Sequence, residues 1–297
     1  MARPVRPLAI AALQLAPVVG DPESTLSDFE RRVLTLSQSL KHIQLIVAPE
    51  LHLAAVGGFF DEQAEDAERV AVEIPSALTG RLGSLARMTG LWLVPGSLYE
   101  RAEEGGVHNT AVAISPEGEL VVAYRKCFPW QPYETSIPGT RVATFDIADV
   151  GRIGLAICHD GAFPEVYRAL AYLGAEVVIQ PTLTTTIDRD SELVLARANA
   201  IANQLYVVSV NAPAPTGLGR SVIVDPEGLV RVQAGDGEEL LTDVLDLDAV
   251  TRVRTFGSFG INRLLAQFEE HGPSLELPMY DGYRPRGLRP SASEEQR

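Results

Sequence analysis

Runs of consecutive apolar, mostly β-branched residues recur along the chain, at Leu8–Leu15, Ile43–Ala48, Leu91–Pro95, Thr110–Ile114, Leu120–Tyr124, Ile153–Cys158, Glu176–Ile179 and Tyr206–Val210. Each is bounded by Gly, Pro, Asn or Asp, and each predicts a strand. Between several of them the apolar positions return at helical spacing behind capping residues, which predicts helices over Asp21–Leu40, Ser76–Thr89, Phe163–Leu173 and Ser191–Asn203. Two matching turns, Ser115-Pro116-Glu117-Gly118 and Asp225-Pro226-Glu227-Gly228, predict hairpins, because Pro pre-sets the first turn dihedral and Gly ends the turn. Strands alternating with helices imply a mixed α/β layered domain.

The pattern changes from Phe256 onward. A helical stretch at Asn262–His271 is followed by Pro273, Pro278, Pro285 and Pro290, which are incompatible with regular structure. The expected organisation is a main domain over 1–255 and an arm over 256–297, packed on another surface or subunit, with the last residues disordered. Arg3–Ala16 superficially resembles a signal peptide, but Gln14 breaks its apolar run and no small-residue cleavage site follows cleanly, so a strand is expected there.

Composition narrows the function. Among 297 residues, 25 Lys and Arg face 39 Asp and Glu, a formal charge of −14 that repels phosphate backbones and anionic lipid surfaces. Nucleic acid and membrane are therefore not expected partners. With only Cys127 and Cys158, a disulfide framework is implausible, and there is neither a Cys-x-x-Cys pair nor a zinc-type His/Cys spacing. A reducing, cytoplasmic location is expected, with no metal. Gly217-Leu218-Gly219 lacks the third glycine and the strand-turn-helix context of a dinucleotide site.

Three segments place a reactive side chain just after an apolar strand. Ile46-Val47-Ala48-Pro49-Glu50 delivers a carboxylate to a strand's C-terminal end, the edge where open α/β sheets bind ligands. Tyr124-Arg125-Lys126-Cys127-Phe128-Pro129-Trp130 sets a lysine before an aromatic cluster, where a partly dry ammonium stabilises an oxyanion better than it does in water. Ile157-Cys158-His159-Asp160-Gly161, followed by Pro164 in a helix's first turn, sets a thiol in a strand-to-helix turn whose free amides and positive helix end favour a thiolate. Taken singly, each has a bland alternative: a solvated acid, a surface basic pair, an inert core thiol. Cys127, inside the predicted hairpin strand and pointing away from Lys126, reads as filler. A dyad of Cys158 with adjacent His159 is geometrically unfavourable.

Taken together, Glu50, Lys126 and Cys158, in this order and these contexts, resemble the Glu-Lys-Cys triad of the nitrilase superfamily of carbon–nitrogen hydrolases. Gly96-Ser97 with Glu100, Asn109-Thr110, Pro181-Thr182, Asn203-Gln204, Asn211 and Ser221 agree, and the likeness runs from about Leu8 to Asp246. Arg125-Lys126 with Pro129-Trp130, Glu134 and Pro138-Gly139, and Cys158 with Asp160-Gly161, are similar to the aliphatic amidase and formamidase branch. Tyr133, where those amidases carry a small aliphatic residue, and His159, where they often carry an acid, depart from it.

The resemblance implies a four-layer α-β-β-α sandwich of two mixed sheets, paired into a homodimer or higher homo-oligomer. It also implies cofactor-free hydrolysis of a small aliphatic amide or formamide through a thioester on Cys158. Glu50 would be the base, Lys126 and the His159 amide would hold the oxyanion, and Glu134 would place substrate and water. Trp130, Tyr133, His159 and Phe60, with Phe59, are expected to wall the pocket. A nitrilase or an N-carbamoyl amidohydrolase using the same triad, or an inactive scaffold relative, are the competing readings.

Overall fold

The computed structural model describes residues 6–57 and 64–272. In chain order the strands are β1 (Pro7–Gln14), β2 (Leu45–Val47), β3 (Trp92–Val94), β4 (Ser97–Arg101), β5 (Val107–Ile114), β6 (Leu120–Arg125), β7 (Ala143–Ile147), β8 (Gly151–Leu155), β9 (Val177–Thr182), β10 (Tyr206–Asn211), β11 (Val222–Val224), β12 (Val230–Gln233) and β13 (Glu239–Asp246). The helices are α1 (Pro22–Ser39), α2 (Ala64–Val70), α3 (Ala77–Thr89), α4 (Pro164–Tyr172), α5 (Asp188–Asn203), α6 (Leu247–Phe256) and α7 (Leu264–His271). No helix among the described residues is long and apolar enough to cross a membrane.

The strands form two sheets, one ordered β13-β1-β2-β3-β5-β4 with β6 on β5, the other β12-β11-β10-β9-β8-β7. β1, β2 and β3 run parallel, as do β8, β9 and β10, with antiparallel pairs at the flanks. Alternation along β1 shows why its sequence is apolar at nearly every position. Leu8, Ile10 and Ala12 enter a core shared with Ile153, Leu155, Val177, Ile179 and Val208 of the second sheet. Ala9, Ala11 and Leu13 face the opposite way, onto Leu26, Phe29 and Val33 of α1 and Leu82 and Leu85 of α3. On the far side, Val178 and Val207 pack under Val166 and Leu170 of α4 and Ala196 and Ala200 of α5. Strands covered on both faces have no polar face to show. The layers are helix, sheet, sheet, helix, the four-layer α/β sandwich expected.

The expected strands and helices are all present, and the caps explain their starts. Asp21 accepts from the Ser24 N–H at the head of α1, Ser76 and Thr79 form a reciprocal capping box on α3, and Pro164 opens α4. Both predicted hairpin turns close, with the Gly118 N–H on Ser115 O and the Gly228 N–H on Asp225 O. Leu8–Leu15, the signal-like stretch, is strand β1, paired to β13 and β2. The strand expected through Cys158 stops at Leu155, and Cys158–Ala162 form a short 3-10 turn. β6 likewise ends at Arg125, so Cys127 lies past the strand and not inside it, half-buried against the inter-sheet core. Strands β4, β7 and β13 and helices α2 and α6 were not anticipated. β13 has only Leu241 and Leu245 buried, and β4 reads Ser-Leu-Tyr-Glu-Arg, so pairing and not an apolar run defines them. The tail helix appears as α7, while Pro273 to Pro290 and the expected disorder lie outside the described residues.

The topology brings the ends of β2, β6 and β8 together. Gly96 secures one of these approaches: at φ +88° its position would set a Cβ 1.8 Å from Pro49 O, the carbonyl next to Glu50. Gly20 has a similar φ of +79° and nothing within 4 Å of the same point. Gly20→Ala is expected to cost only the left-handed penalty of about 1–2 kcal/mol. Gly96→Ala adds overlap worth ~1–3 kcal/mol. Urea unfolding of the two variants checks this, and equal midpoints would refute the close-approach argument.

Candidate active site

Glu50, Lys126, Glu134 and Cys158 come from three loop regions and meet between the sheets. Glu50 follows β2, with its N–H on Thr182 O at the end of β9 and the next residue, Leu51, at φ 52° with its N–H on Ser97 Oγ. That turn ties the edge of the first sheet to the edge of the second. Lys126 follows β6, its N–H on Asn109 O. Its Nζ lies 2.9 Å from Glu50 Oε1 and 2.6 Å from Glu134 Oε2, with all three side chains inaccessible to solvent or nearly so. Asn109 Nδ2 donates to both carboxylates, 2.8 Å to Glu50 Oε1, the oxygen that Lys126 also holds, and 3.0 Å to Glu134 Oε1, the oxygen opposite Lys126.

The two carboxylates have different surroundings. Glu134 also accepts from the Trp130 N–H and Ser136 Oγ, so both of its oxygens are committed to protein donors. Burial alone would raise its pKa, but Lys126 and these donors hold it below the usual carboxylate value. Glu50 spends Oε1 on Lys126 and Asn109, while its buried Oε2 has no close hydrogen-bond partner among the described residues. Burial, opposed by Lys126 and reinforced by Glu134, raises Glu50 to about 7. The desolvation that would lower Lys126 is outweighed by its two carboxylates, so it stays charged well above its ordinary range.

Cys158 opens its 3-10 turn in a left-handed conformation, φ 42°, which costs a non-glycine residue on the order of 1–2 kcal/mol. Surrounding bonds hold it there. Gln180 Nε2 donates to Cys158 O at 2.7 Å and Gln180 Oε1 accepts from Tyr167 OH. Asp160, fully buried, accepts from the Ile157 and Phe128 N–H groups and from Tyr124 OH, which fastens the Cys158 turn to the loop carrying Lys126. Burial first, then Glu50 and Glu192, keep the thiol protonated well above its ordinary value, with Lys126 opposing them. The resting state is therefore a thiol beside a base that titrates near neutrality.

Cys158 borders a cavity of about 200 Å³ whose wall includes Trp130, His159, Thr184, Glu192 and Leu195. Trp130 and His159 thus stand where expected. Tyr133 does not line it: half-exposed, it lies against Trp130 with ring centroids 4.7 Å apart, and touches the cavity only through that ring. Phe59 and Phe60 lie outside the described residues. Asn109, Asp160, Gln180, Thr184 and Glu192 complete the site without having been singled out as site residues. Glu192 sat within a predicted amphipathic helix, where a charged residue carries no mark of facing a cavity. No cluster of three or more metal-ligating side chains occurs among the described residues.

A thiol, a carboxylate near neutrality and a buried ammonium, held at the meeting edges of two sheets in a four-layer sandwich, form a site equipped for hydrolytic chemistry. The chain belongs to the carbon–nitrogen hydrolase family, whose profile matches residues 9–255. It is 29% identical over 265 residues to the human omega-amidase NIT2, covering 83% of this chain and 91% of that protein. It is 28% identical over 243 residues to a formamidase of Bacillus cereus, covering 78% of this chain and 72% of that protein. Among solved structures, an amidase from Nesterenkonia sp. superposes with a TM-score of 0.69 at 27% identity, covering 85% of this chain and 95% of that one.

Lys126→Met leaves Glu50 and Glu134 buried without their shared counter-charge, an expected loss of about 3–5 kcal/mol. Carboxylates in that setting have folded pKa values raised above their unfolded ones, so the stability they give is present when they are protonated and is lost as pH rises. Denaturant unfolding should show a larger penalty for the variant at pH 8 than at pH 5, and a pH-independent penalty would contradict the shared-charge geometry.

Proposed function

We propose that this protein hydrolyses a short linear amide to a carboxylic acid and ammonia through a thioester on Cys158. One observation carries the reading: Glu50 is anchored through a single oxygen and keeps the other buried without a hydrogen-bond partner among the described residues, and its charge opposes ionisation of the Cys158 thiol. Glu50 Oε2 takes the thiol proton as sulfur attacks the amide carbon. Lys126, assisted by the His159 backbone N–H, stabilises the tetrahedral oxyanion in a site that water does not screen. Collapse breaks the carbon–nitrogen bond, and the proton on Glu50 leaves with ammonia. A water then gives its proton to Glu50 and attacks the thioester, and the acid departs as sulfur regains a proton.

Glu134 enters as a positioning residue, since each of its oxygens is already bound by the protein. It draws Lys126 away from full neutralisation of Glu50, which keeps Glu50 basic enough to accept a proton from a thiol. The relatives support the substrate class: the names of two refer to amide hydrolysis, and in a Glu-to-Gln mutant of the Nesterenkonia amidase the acetamide moiety of fluoroacetamide is added covalently at the active-site cysteine. A cavity of about 200 Å³ suits an acyl chain of a few carbons.

Ammonia release from formamide, acetamide, propionamide and butyramide is the direct test, with Cys158→Ala expected to abolish it and intact mass expected to show an acyl adduct on the native chain. Activity that survives Cys158→Ala would overturn the reading. Because Glu50 must be ionised to act, kcat/KM should rise with pH through about 7 and then level off. Lys126 stays charged well beyond that range, so the plateau should hold to at least about pH 9. A rate that falls as pH climbs through 7 would exclude Glu50 as the base.

A further inference from the structure

The cavity has a charge pattern that the chemistry of ammonia release does not require. One of its walls is built by Leu183, Thr184, Thr185 and Thr186 after β9, then by Asp188 and Glu192 at the start of α5. Cys158 Sγ donates a long hydrogen bond, 3.8 Å, to Glu192 Oε1. Thr184 Oγ1 sits 2.8 and 2.7 Å from the two oxygens of Glu192, and Arg189 Nη1, from the fully buried side of α5, lies 3.0 Å from Oε2. A hydroxyl has one proton, so Thr184 satisfies one oxygen at a time, and Arg189 binds only Oε2. Glu192 is thus fixed from behind while Oε1 keeps acceptor capacity on the side of the thiol. Asp188, exposed at the rim, accepts from Thr186 Oγ1.

No lysine or arginine is among the described residues lining this cavity. His159, the one imidazole among the described lining residues, is held below its ordinary pKa, by burial first and by Lys126 second, which disfavours its charged form. Lys126 is not among the lining residues and is paired with Glu50 and Glu134, so its charge serves the reacting carbonyl and not the far end of the acyl chain. Among the described lining residues Asp188 and Glu192 are the acids and no cation opposes them, while the nearby Lys126 and Arg189 are already paired. An acyl chain ending in a carboxylate would find hydroxyls but no cation among the described lining residues, and would meet like charge. One ending in an ammonium would find Glu192 Oε1 within a few ångströms of the reacting carbon and Asp188 beyond it.

We propose that the substrate is a short primary amide whose acyl chain carries an ammonium group, with Glu192 and Asp188 as its specificity-determining residues. This rests on the amidase reading above. The site discriminates by charge: a cationic chain is drawn in, a neutral one of the same length is accepted without help, and an anionic one is rejected. Glu192 touches the substrate away from the reacting bond, so its effect falls on KM more than on kcat.

The test uses the full-length protein and three amides of matched length: 4-aminobutyramide, butyramide and succinamate. Intact-mass detection of an acetamide adduct on Cys158 after fluoroacetamide treatment serves as an independent readout of the nucleophile. The expected order of kcat/KM is 4-aminobutyramide over butyramide by roughly tenfold, and over succinamate by roughly a hundredfold or more. Glu192→Gln should collapse the ratio of the cationic to the neutral amide towards unity, mostly through KM. Asp188→Asn, an exposed change that spares the buried pair, should lower the same ratio severalfold. A native protein that forms the Cys158 adduct yet prefers succinamate, or does not distinguish the three, would overturn this assignment and leave the amidase reading standing. Adduct formation with a charge preference that both variants leave intact would overturn the roles of Glu192 and Asp188. Failure to form the adduct or to release ammonia from any of the three would overturn the amidase reading and this one with it.

Discussion

One ammonium shared between two buried carboxylates governs this site. Lys126 Nζ lies within hydrogen-bond distance of Glu50 and Glu134, and all three are sealed from water. A single Lys–Glu pair would neutralise itself and leave a weak, fully committed base. Burial lifts Glu50 first, and with Glu134 taking the shorter contact and the larger share of donors Lys126 leaves it under-compensated, so it titrates near neutrality. That is the property a proton acceptor for a thiol requires, and it arises without a histidine beside the sulfur. His159, although adjacent in sequence, turns its ring edge-on to Phe163 at 5.3 Å and serves as wall.

The fold exists around this cluster in a literal sense. A buried net charge is tolerable only when its partners cannot drift, and each partner is pinned from a different element. The end of β2 reaches the end of β9 through the Glu50 N–H, β5 supplies Asn109 beneath both carboxylates, and Asp160 binds the Lys126 loop to the Cys158 turn. The strained φ of Cys158 belongs to the same design: it projects the sulfur from the strand-to-helix turn, and Gln180, itself held by Tyr167, keeps the backbone there. Parallel strands buried on both faces supply the stiffness behind all of these contacts.

Much of this was legible in the sequence because its signals are local. Doubly covered strands announce themselves as unbroken apolar runs, Asp21, Ser76 and Pro164 mark helix starts, and a reactive residue two or three positions after such a run lands on a sheet edge. That pattern puts Glu50, Lys126 and Cys158 at strand ends, although Cys158 opens a 3-10 turn past its strand and does not end it. Strands β4, β7 and β13 escaped because their identity lies in pairing partners far away in the chain. Glu192 escaped for a related reason: its position beside the thiol depends on how α5 docks, and nothing in the helix pattern records that. Tyr133 was misplaced because sequence distance from Lys126 says nothing about which ring, Trp130 or Tyr133, ends on the inside.

The most direct measurement of the central claim is the pKa of Glu50 in Glu134→Gln, read by carboxyl carbon NMR and by the acid limb of kcat/KM. Removing the second carboxylate gives Lys126 to Glu50 alone, so the account predicts a fall from about 7 towards the ordinary carboxylate range and a matching shift of the activity profile to lower pH. A Glu50 that titrates unchanged, or higher, in that variant would contradict it.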